Sequence, residues 1–173
     1  MIPRPAASEY AAFYARYVDG VPEGDLPSIL QAQLNQVLTF ARGLPEARGG
    51  HRYAPGKWSI REVLGHMVDV ERIFAYRALR IARGDATPLA GFDENPYVQA
   101  GRFDARTLAD LADEYEAVRR ATLHLFRHLD DEALARSGTA NGADVSVRAL
   151  AWIIAGHERH HLGMLRGVYG EGG

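Results

Sequence analysis

Residues 59–84 read SIREVLGHMVDVERIFAYRALRIARG. Ser59 followed by Glu62 is a capping box, in which each side chain satisfies a free amide at the start of a helix. Val63, Met67, Val70, Phe74 and Ile81 then recur at helical intervals and share one face. Gly84 supplies a C-terminal stop. His66 stands at the edge of this apolar face.

Three other stretches carry the same period. Asp25 can cap a helix that tolerates Pro27 in its first turn. Its stripe is Leu30, Leu34, Val37, Ala41 and Leu44, and Pro45 with Gly49-Gly50 ends it. A third helix starts between Asp104 and Thr107, with Leu108, Leu111, Tyr115, Val118, Thr122, Leu125 and Leu129 in register. A fourth starts near Asp144 or Ser146 and runs through Val147, Leu150, Ile154, His157, His161, Met164 and Val168 to Gly170. The Tyr- and Ala-rich segment from Ser8 to Val18 reads as a short helix packed on the outside. No period-two strand is evident.

Four amphipathic helices in 173 residues predict an all-α fold, a four-helix bundle forming one domain over residues 1–173. Two connections, Gly84 to Phe103 and Asp130 to Val145, exceed the usual helix–helix loop of about two to eight residues. The first holds Phe92, Asp93, Glu94, Asn95 and Tyr97, material for a ligand contact.

Composition narrows the function. Hydrophobic residues are 47% and charged residues 24%, the balance of a folded globular chain. A net charge of −2 argues against nucleic acid, whose binders carry a basic surplus. With no cysteine, disulfides, thiolate metal sites and cysteine nucleophiles are excluded. No apolar run approaches the roughly 20 residues of a membrane span, and Met1 to Pro5 has no apolar core for a secretion signal. The expected compartment is the cytoplasm.

The seven histidines are His51, His66, His124, His128, His157, His160 and His161. Two pairs, His124/His128 and His157/His161, have the i, i+4 spacing that places both rings on one helix face. His124 and His128 lie far from their helix's apolar stripe, beside Arg120 and Arg127, and are expected in solvent. His157 and His161 lie within the stripe of theirs, where Leu or Ile would be expected. Buried imidazoles need hydrogen-bond partners or a metal, and two stacked at ligand spacing favour the metal. The third ligand expected from a facing helix is His66; His160 is an alternative set farther off the stripe, and His51 lies in a loop.

The segment YAPGKWSIREVLGHMVDVER at 53–72, IAGHERHH at 154–161, PLAGFD at 88–93 and RRAT at 119–122 closely resemble the DinB-like family. The resemblance implies a bundle with a three-histidine site for a divalent metal, usually zinc or nickel, mapping to His66, His157 and His161. It also implies chemistry related to thiol-dependent transferases and isomerases, and a tendency to dimerise.

Three neutral imidazoles leave a metal its full charge and an open position, the pattern of a catalytic site. Such an ion can activate water or a thiol, and any thiol must arrive as a low-molecular-weight cosubstrate. The expected function is therefore a metal-dependent enzyme, S-transferase-like or hydrolase-like, acting on a small-molecule electrophile. The alternative is a non-catalytic bundle that binds a small ligand or a partner chain. Glu62, Asp69, Glu71 and Glu158 are candidates to orient the imidazoles or to form surface ion pairs. Arg77, in line with His66, and Tyr97, from the long loop, are candidate substrate contacts. Trp152 is placed away from its helix's stripe, which predicts a homodimer partly through that face.

Overall fold

The computed structural model describes residues 1–170. In chain order its helices are α1 (Ala15–Gly20), α2 (Leu26–Gly43), α3 (Ile60–Ala82), α4 (Glu94–Gly101), α5 (Leu108–Arg127), α6 (Asp131–Ala135) and α7 (Val147–Arg166). The long ones, α2, α3, α5 and α7, are the expected bundle, and each begins at a polar cap. Asp25 accepts from the amide of Ser28, Ser59 from that of Glu62, Thr107 from that of Asp110, and Ser146 from that of Ala149. The capping box of Ser59 and Glu62 closes as read, with the Glu62 carboxylate accepting from the Ser59 amide at 2.8 Å.

The connectivity is not a simple meander. Both α2 and α3 pack against α5 and α7, so α2 and α3 stand across the diagonal of the bundle. The apolar stripes meet in two clusters. One gathers Val70, Phe74, Phe126 and the first half of α7; the other gathers Leu34, Val37, Val63, Met67, Leu111 and Tyr115. Val168 falls past the end of α7 and is exposed, so that stripe is one residue shorter than its periodicity suggested.

Inside this core lies an ionic group. Arg119 is fully buried and grips Glu71 with two nitrogens, at 2.7 and 2.8 Å. A third nitrogen reaches the Leu30 carbonyl at 3.0 Å and the Glu158 carboxylate at 2.7 Å. The Tyr115 hydroxyl donates to the same Glu158 oxygen at 2.5 Å. Burial with complementary partners is the condition under which charge survives in an interior.

The long connections are structured, and two expectations need correcting there. Residues 130–145 hold α6 and an antiparallel hairpin, β1 (Ser137–Ala140) and β2 (Ala143–Ser146), where no strand was expected. Its turn is Asn141-Gly142, both at positive φ, the combination a two-residue hairpin turn demands. The strands are too short and too polar to declare a period, but the Asn-Gly pair is a hairpin signal. Leu89, in the other long connection, donates to Thr139 and accepts from Asn141, which ties the two loops together.

The other correction concerns Trp152. It is 1% exposed and lies beneath the N-terminal segment, with Arg4 over its ring at 4.2 Å and Ile2 accepting its indole N–H at 3.4 Å. The expected outward face on α7 is therefore covered by the chain's own N-terminal segment, which leaves the family resemblance as the remaining ground for the homodimer expectation. The same segment, read as a short outer helix, is α1 preceded by two turns of 3₁₀ helix (Ala7–Glu9 and Ala12–Tyr14). It is partly interior. Tyr17 and Val18 are buried against α7, and a Cβ on Gly156 would stand 2.1 Å from the Tyr17 carbonyl oxygen. Only glycine at 156 lets α1 approach this closely.

Candidate metal centre

α3 and α7 face each other, and their histidines meet between them. His157 Nε2 lies 3.1 Å from His66 Nε2 and 3.1 Å from His161 Nε2. One nitrogen from each of the three rings falls within 4.8 Å of the others, and the rings are 3%, 7% and 8% exposed for His66, His157 and His161. Among the described residues this is the group of three with metal-ligand geometry. The i, i+4 spacing on α7 stacks two of the rings, while Gly65 before His66 leaves room for Phe103, whose ring a Cβ there would meet at 2.2 Å.

The donor set fits a borderline divalent cation. Two donors on a tetrahedral zinc, each about 2.0–2.1 Å from it, lie about 3.3 Å apart, close to the separations seen here. The electrostatics agree. Burial pushes the His66 imidazole down to about 4 and, with its histidine neighbours, His161 down to about 3. Burial first, then His161 and His66, holds His157 well below the ordinary value. All three rings are therefore neutral at pH 7, the form that ligates metal.

This has a consequence for stability. Below the ordinary imidazole value of 6.5, the unfolded chain takes up protons that the folded rings refuse. Stability from this source is complete above that pH and drains away as the pH falls through about 4 and then about 3. Each such histidine contributes about 1.4 kcal/mol per pH unit within its window. The urea midpoint of metal-free protein is expected to drop steeply from pH 6.5 to pH 4, and a flat profile there overturns neutral burial.

Two cavities flank the cluster. One, about 300 Å³, runs past His161 and His160 and is lined by Tyr17, Lys57, Trp58 and Arg16. The other, about 250 Å³, reaches His157 from the opposite group of side chains: Tyr14, Phe74, Arg77 and Phe92. Tyr17 belongs to both walls, and its ring edge meets His157 at 5.5 Å between centroids. Trp58 packs on His66 at 4.7 Å, and its carbonyl accepts from the Tyr169 hydroxyl at 2.7 Å.

The remaining candidates separate clearly. Arg77 is buried and lines the second cavity. Tyr97 is 49% exposed and packs at a tilt on Phe92 at 5.1 Å between centroids, and it lines neither of these cavities. His160 is exposed at the first cavity, edge-on to His161 at 5.0 Å. His124 and His128 are exposed, and His51 packs near Tyr169. Of the four acids, Glu62 serves its helix cap and Arg52, and Asp69 faces Arg72. Glu71 and Glu158 are neither surface groups nor bonded to the imidazoles, because Arg119 holds them. His161 Nδ1 is buried with no partner among the described residues. Sequence reasoning missed Tyr17 and Trp58, whose aromatic character gave no pointer to the partner each ring would cover.

A bundle with α2 and α3 on its diagonal and a buried cluster of three imidazoles defines the class: helical proteins with a three-histidine centre of metal-ligand geometry. The chain belongs to the DinB superfamily, which matches residues 29–165. No curated protein matches it. Solved structures do. YfiT from Bacillus subtilis, described as a probable metal-dependent hydrolase with an unusual four-helix bundle topology, aligns with a TM-score of 0.77 at 12% identity, covering 98% of this chain and 93% of that one. A mycothiol-dependent maleylpyruvate isomerase gives 0.69 at 13% identity; the match covers 84% of this chain but only 61% of the isomerase. A DinB-like protein of Bacillus subtilis, YjoA, gives 0.61 at 24% identity over 86% and 91% of the two chains. At these identities the likeness is one of fold. Among the described residues no helix is long and apolar enough to cross a membrane.

Proposed function

We propose that this chain is a metal-dependent enzyme acting on a small-molecule electrophile, with His66, His157 and His161 holding a divalent ion, zinc or nickel. The carrying observation is the convergence of three neutral Nε2 atoms, with 3.1 Å contacts through His157, beside two cavities. A bound ion with an open position supplies a Lewis acid that lowers the pKa of a thiol or of water. The absence of cysteine makes any thiol a cosubstrate, so the reading covers an S-transferase-like and a hydrolase-like reaction. The descriptions of YfiT as a hydrolase and of the isomerase as mycothiol-dependent support both forms.

The chain's own side chains prepare the site. Trp58 against His66 and Tyr17 against His157 hold the rings and keep bulk water from them. Arg16 and Lys57 place positive charge along the first cavity, where an anionic thiol or a polar electrophile enters.

Metal content per chain, by plasma mass spectrometry on protein purified without a histidine tag or nickel column, is the test. A stoichiometric divalent ion is expected, with turnover of a chlorodinitrobenzene in the presence of a small thiol or of an activated ester without one. Protein that holds no ion, and takes none from zinc or nickel solutions, overturns the proposal.

A further inference from the structure

Arg77 is an arginine in the wrong place for a structural ion pair. It lies 3% exposed on α3, three turns beyond His66. One nitrogen donates to the Ala90 carbonyl at 2.7 Å, and the Tyr14 hydroxyl is a second partner. Among the described residues no carboxylate pairs with it; Glu94, the acid that also lines this cavity, is exposed and forms no ion pair with it. The contrast with Arg119, which is wholly buried and held by two carboxylates, is direct. A guanidinium has five N–H donors and keeps its charge. Burial without a counter-charge is costly, and the cost is relieved when an anion arrives.

The surroundings say what kind of anion. The guanidinium carbon lies 5.5 Å from the Phe74 ring centroid and 5.8 Å from that of Phe92. These two rings give the cavity apolar walls, in which a charged hydrogen bond is strengthened by the low dielectric. Phe74 is also the link to the histidine cluster, with its ring 6.3 Å from that of His157. The volume, about 250 Å³, is below the range of drug-sized sites.

We propose that this cavity is the acid-binding subsite, and that the substrate is a small carboxylic acid with an apolar body whose carboxylate is clamped by Arg77. The fork of the guanidinium matches a carboxylate bidentately. The clamp turns the rest of the molecule past Phe74 toward His157. This rests on the metal-dependent reading above for the reaction, but the subsite has its own chemistry and its own test.

The test titrates zinc-loaded protein by calorimetry with butyrate and benzoate and with their uncharged amides, butyramide and benzamide. Wild type is expected to prefer each acid over its amide by about tenfold or more, the worth of a charge-assisted pair. Arg77→Gln is expected to bring that ratio close to one with zinc content and helicity unchanged, and Arg77→Lys to restore part of it. A merely structural Arg77 would weaken acid and amide alike, leaving the ratio where it was. His161→Ala is expected to keep the preference. No preference in wild type overturns the subsite, as does a preference that survives Arg77→Gln. A preference that disappears in His161→Ala while Arg77 is intact assigns the acid to the ion and overturns the subsite alone. An Arg77-dependent preference in wild type that binds no zinc upholds the subsite and overturns only the metal reading.

Discussion

His161→Ala is expected to lose the metal while keeping the fold. The residue supplies one of three ring nitrogens, and its ring meets His157 edge-on at 4.4 Å between centroids. Replacing even a residue that merely orients a ligand weakens metal binding by about 10- to 100-fold, so removing a ligand should exceed the upper figure. The loss is visible without an assay. A ligand at about 1,000 times its dissociation constant stabilises a protein by about 4 kcal/mol. Thermal melts with and without zinc should separate widely for wild type and coincide for His161→Ala. Helical circular dichroism should be unchanged, because the four caps and the aliphatic members of the stripes stay in place. A variant that retains the wild-type metal stoichiometry, or the zinc-dependent shift, removes His161 from the site.

Arg119→Met is expected to cost a large part of the protein's stability. It leaves Glu71 and Glu158 in the core without the cation that both contact at 2.7 Å. Breaking a buried pair from one side costs about 3–5 kcal/mol, against a total stability for domains of about 5–15 kcal/mol. The urea midpoint should fall accordingly with an unchanged slope. Adding Glu71→Gln and Glu158→Gln should recover a substantial part, since the stranded charges are then gone. A single variant within about 1 kcal/mol of wild type would mean that the ionic group is solvated after all, which its burial argues against. Position also matters. Glu158 adjoins His157 in sequence, so loosening this group loosens the helix turn that presents a candidate ligand.

The parts of this architecture that were legible in the sequence are those set by local periodicity. The Ser59–Glu62 box and the stripe that follows it need only neighbours a few residues apart, and they set α3 almost to its observed bounds. His157 and His161 stood out because two imidazoles occupied positions that the stripe reserves for aliphatic residues. The same logic was available for Arg119, which sits one turn beyond Tyr115 and in register with it, but a long arginine beside Arg120 reads as solvated until its acids are found on α3 and α7. Trp152 failed for a related reason. Its position on α7 is outward with respect to the bundle, and the layer that covers it comes from Ile2 and Arg4, far away in sequence. Tyr97 was drawn from loop length alone, whereas the loop turned out to hold its own helix and to present Phe92 to the cavity instead. Contacts of long range are the common element in what the pattern did not reveal.

The pairing of His66 with His157 spans 91 positions of the chain. During synthesis α3 emerges long before α7, and for all that time His66 is a solitary imidazole with no more claim on a metal ion than His124. The three-ring cluster is complete only once the last long helix is in place. The full set of three nitrogens therefore exists only in the docked bundle, and an ion that needs all three would bind the folded state. The influence of such an ion would fall on the folded protein, which it would stabilise by binding that state and not the unfolded one.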